Sequence, residues 1–377
     1  MPPTSTQIHH HPLLSPSSEE TISQALTILR PHLPISLPLY RRLQSGRFFP
    51  ATTLLTNLPS LTTTPPPSAP WLLAFVDRTC RPETEIWLFG SWEVLHPSSP
   101  LNPEHQHLIT TLLKSLVHKI KSFPLPTSLH ADAPSSSAPL VDGSVQPDSS
   151  GLSRTEYASH FHDSSLTLWG AVHSRTAHLL QAAGVIRSPV GAGEGGGMVP
   201  NSTFVFDLED GSVSMGVDGT VLPEGLVWGK LQWEDFKLVR SRTQIPRQDR
   251  TLAGLRCVAI LDVRDVTSTA DPPRDGSHGR GKPVGWAFVG LDGSLTTLHV
   301  EAEWRRRGLA QAITAKLFRE EMEGLWEEGV KRWAHGYVVE GNEASEGLCR
   351  RLGGRKVWDA FWVRVDLEAV GEEGEEE

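Results

Sequence analysis

The last third of the chain alternates short apolar stretches with segments in which apolar residues recur every three or four positions. The first pattern is typical of strands and the second of helices. The predicted elements are strands at 256–263, 283–290 and 294–300, a helix at 309–327, a strand at 331–340, a helix at 343–352 and a strand at 355–365. The polar segment 265–282, rich in Pro and Gly, separates the first two strands and predicts a long hairpin loop.

Weaker patterns, interrupted by Pro, Ser and Gly, run through the rest of the chain. The predicted elements are helices at 21–33 and 37–43, strands at 71–76 and 85–91, helices at 102–123 and 166–183, a strand at 203–208, and helices at 233–242 and 247–255. The Pro-, Ser- and Asp-rich segment 124–153 predicts an exposed disordered loop, and the glycine tract 191–197 predicts a flexible linker. The sequence shows no convincing tandem repeat, although both halves contain a strand, a hairpin and a strand followed by a long helix.

Length and composition indicate more than one domain. The 377 residues suffice for two domains of ordinary size. The change of character near residue 225 predicts an N-terminal accessory domain at 19–225 and a second domain at 226–367. Residues 1–18 and the acidic tail 368–377 are expected to be disordered. The formal net charge is -9, which excludes the overall basic footprint of a nucleic-acid-binding protein.

The number of cysteines and the length of the apolar runs bear on the cellular compartment of the protein. Three widely spaced cysteines, Cys80, Cys257 and Cys349, form neither a zinc-ligand spacing nor a disulfide framework. This usage suits a reducing compartment, so we expect a cytoplasmic protein, with the nucleus left open. No run of about 18 apolar residues predicts a membrane span. The N-terminus lacks a signal-peptide pattern, and its three consecutive histidines are interpreted as part of a polar terminus rather than a metal site.

The most informative motif lies between a predicted strand and a predicted helix. Residues 305–310 read Arg-Arg-Arg-Gly-Leu-Ala. Gly308 allows the backbone to approach a ligand closely, and the helix that begins there presents unpaired N–H groups and a positive dipole end. The arginines add positive charge for a small anionic ligand. The motif therefore predicts a phosphate site, with a solvated basic turn as the alternative.

This motif resembles the acetyl-CoA signature of the GNAT superfamily of N-acyltransferases, Arg/Gln-x-x-Gly-x-Gly/Ala. A second block at 334–354 is similar to the family's strand, Asn-x-x-Ser helix start and closing helix. Segments 241–247, 283–290 and 292–295 resemble the glycine N-acyltransferase-like branch of the superfamily, as seen in uncharacterised fungal proteins. The resemblance covers about 226–366. It implies an α/β (α+β) GNAT fold, with a mixed, mostly antiparallel sheet flanked by helices and an N-terminal GNAT-like accessory half.

The resemblance also implies acyl-CoA as co-substrate, held between two splayed strands and at the start of the following helix. The residues expected to bind it are Leu298, Val300, Arg305, Arg306, Arg307, Gly308, Leu309, Ala310, Asn342 and Ser345. In this arrangement an amide near Val300 would polarise the thioester carbonyl. Asn342 would also cap its helix. Arg242 and Arg247 border the acceptor site in the family and are expected to clamp an acceptor carboxylate, with surface arginines of a turn as the alternative.

Two positions depart from the family pattern. Cys349 stands where the family often has a tyrosine that protonates the departing thiolate, and a thiol is a poorer hydrogen-bond donor. Gly354 stands where a phenylalanine is expected. Candidate proton acceptors are Glu301, Glu303, His299, His335 and Glu340. Among these His335 and Glu301 are favoured, and Cys349 remains a candidate catalytic thiol or a buried packing residue.

These observations together predict an acyl-CoA-dependent N-acyltransferase, with acetyl-CoA as default donor. The amine of a small molecule or amino acid would attack the thioester directly in a ternary complex. A protein-lysine acetyltransferase, a catalytically weak acyl-CoA-binding module and a general phosphate binder remain open. No metal, nucleic-acid or membrane partner is expected, and the oligomeric state is left open.

Overall fold

The structure is a computed structural model that describes residues 6–67, 69–95, 99–126, 160–187, 198–210, 221–243, 245, 247–264 and 281–370. The chain divides into two compact units. The first unit comprises Met1–Ser202 with Trp358–Glu377, and the second unit comprises Thr203–Val357. Most of the predicted loop at 124–153, the glycine tract at 191–197 and the tail from 371 onward lie outside the described residues. The domain boundaries drawn from composition stay a prediction, because contact-defined units do not test independent folding.

A six-stranded sheet forms the centre of the first unit. Its elements are β1 (His9–Pro12), α1 (Ser18–Leu29), α2 (Leu37–Gln44), β2 (Thr53–Thr56), β3 (Leu72–Val76), β4 (Ile86–Gly90), α3 (Pro103–Lys121), β5 (Leu166–His173), α4 (Ser174–Ala182) and the C-terminal β12 (Arg355–Asp366). The strand order is β1-β2-β3-β4-β5-β12. Only the β4–β5 pair is recorded as parallel among these described strands. Apolar side chains of α3 and α4 pack on this sheet.

From its second strand through its last helix, the second unit repeats the order of elements that the first unit has from β1 to α4. It contains β6 (Asn201–Asp207), β7 (Leu226–Gly229), α5 (Phe236–Arg242), α6 (Asp249–Gly254), β8 (Arg256–Asp262), β9 (Lys282–Val289), β10 (Ser294–Val300), α7 (Leu309–Lys316), β11 (Trp333–Val339) and α8 (Glu343–Arg351). The strand order is β7-β8-β9-β10-β11-β6. In each unit a strand and two helices precede a three-stranded meander, a helix, a parallel strand and a further helix. The chain therefore contains a structural repeat, which its sequence indicates only through a shared order of elements and not through tandem sequence similarity.

Two predicted segments fold differently from the expectation. Disorder was expected over 1–18, but His9–Pro12 form edge strand β1, which pairs with β2, and Leu13 behind it is completely buried. A helix was expected over 166–183, but Leu166–His173 form β5 and only Ser174–Ala182 are helical. All eight residues of β5 are buried. A strand buried on both faces shows a continuous apolar run, which periodicity cannot distinguish from a buried helix.

The helix predicted over 309–327 is also interrupted. Regular α-helix ends at Lys316, a π-helical turn follows at Leu317–Glu321, and a short 3-10 turn at Glu323–Leu325 ends the segment. Leu317, Phe318 and Met322 are all buried in the core of the second unit. On a regular α-helix, the side chains of adjacent residues point in different directions. Here the wider π turn coincides with burial of both Leu317 and Phe318.

Candidate active site

Strands β10 and β11 run parallel and diverge soon after they start. They pair at Ser294 opposite His335 and at Leu295 opposite Gly336. Both strands are fully described, and no further pair between them is recorded toward Val300. A bulge at Thr297, which has φ of 53°, shifts the register of β10 against β9. Residues 296–300 of β10 and the diverging β11 therefore border an open wedge, which we call the cleft.

The backbone of β10 presents amide groups to the cleft. Glu301 N donates to Val284 O on the β9 side, at 2.9 Å. Because successive amides of a strand point in opposite directions, the N–H groups of Val300 and Leu298 point toward the cleft. The carbonyl of Val300 accepts a hydrogen bond from Arg305 Nε at 2.9 Å. The two residues that the sequence predicted to line the cofactor groove thus direct backbone donors into it.

The turn before α7 leaves the helix N-terminus open. Arg306 and Gly308 both have positive φ, 62° and 77°, and residues 305–308 are exposed. Gly308 is the N-cap and no side chain caps this helix. A Cβ placed on Gly308 would meet no atom beyond the adjoining residues within 4 Å, so the space beside this residue is open. The first N–H groups of α7 are available to an anionic ligand.

The corresponding helix of the first unit is closed by its own chain. Helix α3 begins with Pro103, which has no N–H to offer, and Asn102 Oδ1 accepts a hydrogen bond from His105 N at 2.7 Å. The turn before α3 carries no glycine-arginine motif in the sequence. The N-terminus of α7 is therefore uncapped by any side chain, whereas that of α3 is capped.

The arginines at the α7 turn are positioned by defined contacts. The guanidinium of Arg307 lies over the buried ring of Trp304, 4.8 Å from the ring centroid, and that of Arg264 lies 4.7 Å from the same centroid. Leu309 is buried in the core, so only its backbone faces the turn, and Ala310 is half-buried. These contacts keep positive charge beside the open end of α7.

Helix α8 contains the predicted cap and the unusual cysteine. Asn342 Oδ1 accepts a hydrogen bond from Ser345 N at 3.1 Å, so Asn342 caps α8 as the sequence predicted. Cys349 is 4% exposed, and burial raises the pKa of its thiol to about 12. A Cβ on Gly354 would lie 2.5 Å from the ring of Phe206, so Phe206 fills the space beside the expected phenylalanine position.

The face of the sheet opposite α7 carries a group of interacting polar side chains. His299 stacks on Trp286 with ring centroids 4.9 Å apart. His299 Nε2 lies 3.6 Å from Glu301 Oε2, and Glu301 Oε1 accepts a hydrogen bond from Arg242 Nε at 3.0 Å. Burial opposes ionisation of Glu301, but the hydrogen bond and charge of Arg242 outweigh it and lower the pKa of Glu301. The structure thus joins two residues for which the sequence predicted separate roles.

Arg247, the second predicted acceptor-binding arginine, is half-buried before α6. Glu303 and Glu340 were also considered as proton acceptors. Glu303 is exposed in the turn after β10. Glu340 is exposed just after β11, so neither carboxylate shares the burial of Glu301.

A second polar group surrounds His335 and was only partly expected. His335 is 0% exposed, and its Nε2 lies 3.9 Å from Asp292 Oδ2. Asp292 Oδ2 also accepts a hydrogen bond from Tyr337 Oη at 3.2 Å, and Asp292 Oδ1 accepts one from Ser294 Oγ at 2.6 Å. Burial opposes ionisation, but His335 and Ser294 outweigh it and hold the pKa of Asp292 at about 2. Asp292 and Tyr337 were missed because the contacts depend on strand register.

Comparisons with known proteins agree with this geometry. The family model of the acyl-CoA N-acyltransferase verG N-terminal domain matches residues 5–200, about half of the chain. The model of FR47-like proteins matches residues 277–363, which include the cleft and the α7 turn. No curated protein matches the sequence significantly. The chain belongs to the GNAT superfamily, in the family of acyl-CoA N-acyltransferases that the verG N-terminal domain defines.

A solved structure shows the same fold at low sequence identity. A Drosophila melanogaster protein is 15% identical with a TM-score of 0.52, over 94% of this chain and 99% of that chain. A tandem GNAT protein from the clavulanic acid biosynthesis pathway is 14% identical with a TM-score of 0.45, over 96% and 99% of the two chains. The predicted GNAT fold with an N-terminal GNAT-like half is confirmed.

The described residues contain neither a membrane-spanning helix nor a metal-binding group. Among the described residues, no helix has both the length and the apolar character needed to cross a bilayer. In the same part of the chain, no three His, Cys, Asp or Glu side chains are grouped so as to hold a metal ion.

Proposed function

We propose that this protein is an acyl-CoA-dependent N-acyltransferase, with acetyl-CoA as default donor. The observation that carries the proposal is the combination of the cleft with an uncapped helix α7 directly beyond it. A thioester on a long pantetheine arm with phosphates at its far end matches an amide-lined wedge that leads to a phosphate site. The first unit lacks this combination because Asn102 and Pro103 close α3.

The donor is held by groups that the sequence motif and the cleft supply. The N–H groups at the start of α7 and the side chains of Arg305, Arg306 and Arg307 would bind the pyrophosphate. The amides of Leu298 and Val300 would bind the pantetheine arm and thioester as an added strand would. Asn342 and Ser345, at the start of α8, would border the same groove.

The acceptor is proposed to be a small amine or amino acid, which attacks the thioester directly in a ternary complex. It would approach from the face of the sheet that carries Trp286, His299 and the Arg242–Glu301 ion pair. Because Arg242 is paired with Glu301 in the free protein, a carboxylate clamp would require the acceptor to compete with Glu301 for that arginine. Arg247 would be the second arginine on this side.

Two groups are candidates to take the proton from the amine, namely His335 and Glu301. The buried, protonated Cys349 is proposed as a packing residue, since coenzyme A thiolate is a stable leaving group and needs no strong acid. The same burial favours a second candidate function, an acyl-CoA-binding module without turnover. A protein-lysine acceptor is the alternative within the transferase class.

Calorimetric titration with acetyl-CoA, coenzyme A and ATP tests the donor site. We expect acetyl-CoA and coenzyme A to bind with one site per chain, and ATP to bind at least about tenfold more weakly because it lacks the pantetheine arm. Equal affinity for ATP and coenzyme A would replace this proposal with a general phosphate site at α7.

A further inference from the structure

His335 lies buried where a ligand rather than the protein would complete its hydrogen bonds. It is 0% exposed, and neither Nδ1 nor Nε2 has a hydrogen-bond partner among the described residues. Burying a polar group without a hydrogen-bond partner is unfavourable, because the group loses its hydrogen bonds to water. His299 Nε2 is also unpartnered within the described chain, but its side chain is 14% exposed. His335 is therefore the more costly of the two and the stronger sign of a missing partner.

The position of His335 relative to the cleft follows from the strand register. His335 is opposite Ser294, and the next pair, Leu295 with Gly336, is the last before the strands diverge. The phosphates of a bound acyl-CoA would lie at α7, beyond the other end of β10. The acyl end must then point toward the closed end of the cleft, which is where His335 lies.

The side chain of His335 is on the face proposed for the acceptor. Ala334 and Val338 lie at even-numbered positions of β11, and both pack in the core on the α7 side of the sheet. Because strand side chains alternate, His335 and Tyr337 lie on the opposite face. Their rings are in T-shaped contact with centroids 5.3 Å apart. Trp286 packs with residues of α5 and α6 on that same face.

We propose that His335 accepts the proton of the attacking amine, and that Asp292 is a positioning residue that orients its ring. This inference rests on the proposed acyltransferase function. The carboxylate of Asp292, with Oδ2 3.9 Å from Nε2, electrostatically favours the tautomer with the proton on Nε2, which leaves the lone pair of Nδ1 free. Tyr337 and Ser294 hold the carboxylate by hydrogen bonds to its two oxygens.

The step balances without any further reactant. The lone pair of the amine forms a C–N bond to the thioester carbonyl carbon, and the nitrogen proton passes through bound water to Nδ1 of His335, because Ser294, opposite His335, is four residues from Leu298 along β10. The C–S bond then breaks, and sulfur leaves with the bonding electrons as thiolate. His335 returns the proton to the thiolate, so amine and acyl-CoA become amide and coenzyme A. The ionised Asp292 stabilises the imidazolium that exists between the two proton transfers.

The test combines His335→Gln, His335→Ala and Asp292→Asn with His173→Gln as control. His173 is a buried histidine of the first unit, 8% exposed, and has no proposed role in transfer. Acetyl-CoA turnover is followed with whichever amine of a panel the wild-type protein acetylates. We expect His335→Gln to lower kcat by about 10²–10⁴-fold, with the Kd for acetyl-CoA changed less than twofold. Added imidazole should raise the rate of His335→Ala at least about tenfold and leave His173→Gln unchanged.

The outcomes separate this inference from the proposed function. A wild-type protein that turns over while His335→Gln keeps its rate, or imidazole that fails to restore His335→Ala, would overturn the role of His335 alone. A wild-type protein without turnover would overturn the transferase proposal. Should His335→Ala be unfolded, Asp292→Asn decides. We expect its kcat to fall at least about tenfold at unchanged Kd for acetyl-CoA, and a wild-type kcat would contradict the dyad.

Discussion

Replacement of Gly308 by alanine tests the proposed phosphate site most selectively. Gly308 has φ of 77°, a conformation that costs an L-residue about 1–2 kcal/mol. No atom beyond the adjoining residues lies within 4 Å of the added Cβ, so the free protein gains no clash with the rest of the chain. With an unfolding entropy of about 2.1 cal/mol/K per residue over 377 residues, the strain should lower Tm by about 1 °C per kcal/mol.

The effect on binding should exceed the effect on stability. The added Cβ would occupy the space into which a phosphate oxygen must move to reach the first N–H groups of α7. Loss of one charge-assisted hydrogen bond is worth about 1.5–3 kcal/mol. We therefore expect the Kd for acetyl-CoA to rise by about 10–100-fold, measured by calorimetry at fixed salt concentration.

Gly329 provides a matched control. Its φ is 71° and a Cβ there would also meet nothing within 4 Å, so Gly329→Ala carries the same backbone strain in the same unit. We expect similar losses of Tm in both variants and a weakened acetyl-CoA affinity only in Gly308→Ala. Equal affinities for acetyl-CoA in the two variants would refute the placement of the phosphates at α7.

Three further predictions concern charge, packing and pH. Arg305→Ala removes a cation and the hydrogen bond to Val300 O, so the Kd for acetyl-CoA should rise about tenfold in calorimetry. An unchanged Kd would exclude Arg305 from the site. Cys349→Ala should keep kcat within about threefold. Because the thiol is buried, the variant should lose about 1 kcal/mol of unfolding free energy in chemical denaturation. A hundredfold loss of kcat would instead indicate that Cys349 is a catalytic acid. Burial raises the pKa of Glu93 in the first unit from its ordinary 4.5 to about 8, so the folded protein holds this proton more tightly than the unfolded chain. The contribution of Glu93 to stability should therefore fall as pH rises from about 5 to 8, by up to about 1.4 kcal/mol per pH unit. In urea titrations, the stability of the wild type relative to Glu93→Gln should decrease over this range, and parallel pH profiles would contradict the prediction.

Local features of the candidate site could be predicted from the sequence. The α7 turn depends on a glycine at a helix start, and Asn342 caps α8 through a residue three positions away. Both depend on contacts within a few residues, so the residue types and their spacing suffice. The meander β8–β10 was predictable for the same reason, because its strands are consecutive in the chain.

The contacts across the sheet could not be predicted. Arg242 and Glu301 are 59 residues apart, and Asp292 and Tyr337 are 45 apart. Whether such residues meet depends on strand register, and a shift of one residue would reverse every side chain. The sequence pattern therefore suggested the candidates singly, whereas the structure shows which of them lie together.

The structural repeat was only partly predictable for a related reason. Strands β5 and β11 occupy equivalent places in the two units, but β5 is buried throughout and was predicted to be helical. Edge strand β1 contains three histidines and a proline, a composition that gives no strand signal. Backbone hydrogen bonds to β2 hold it in the sheet, and these depend on the fold rather than on side-chain type.

Amine-dependent release of coenzyme A from acetyl-CoA tests the central claim most directly. Released thiol can be titrated against a low protein background, since all three cysteines are buried. With a panel of small amines, amino acids and lysine peptides, the account predicts coenzyme A and N-acetylated product in equal amounts by mass spectrometry for at least one acceptor. Acetyl-CoA that binds without amine-dependent release of coenzyme A for any acceptor would contradict the account and leave an acyl-CoA-binding protein.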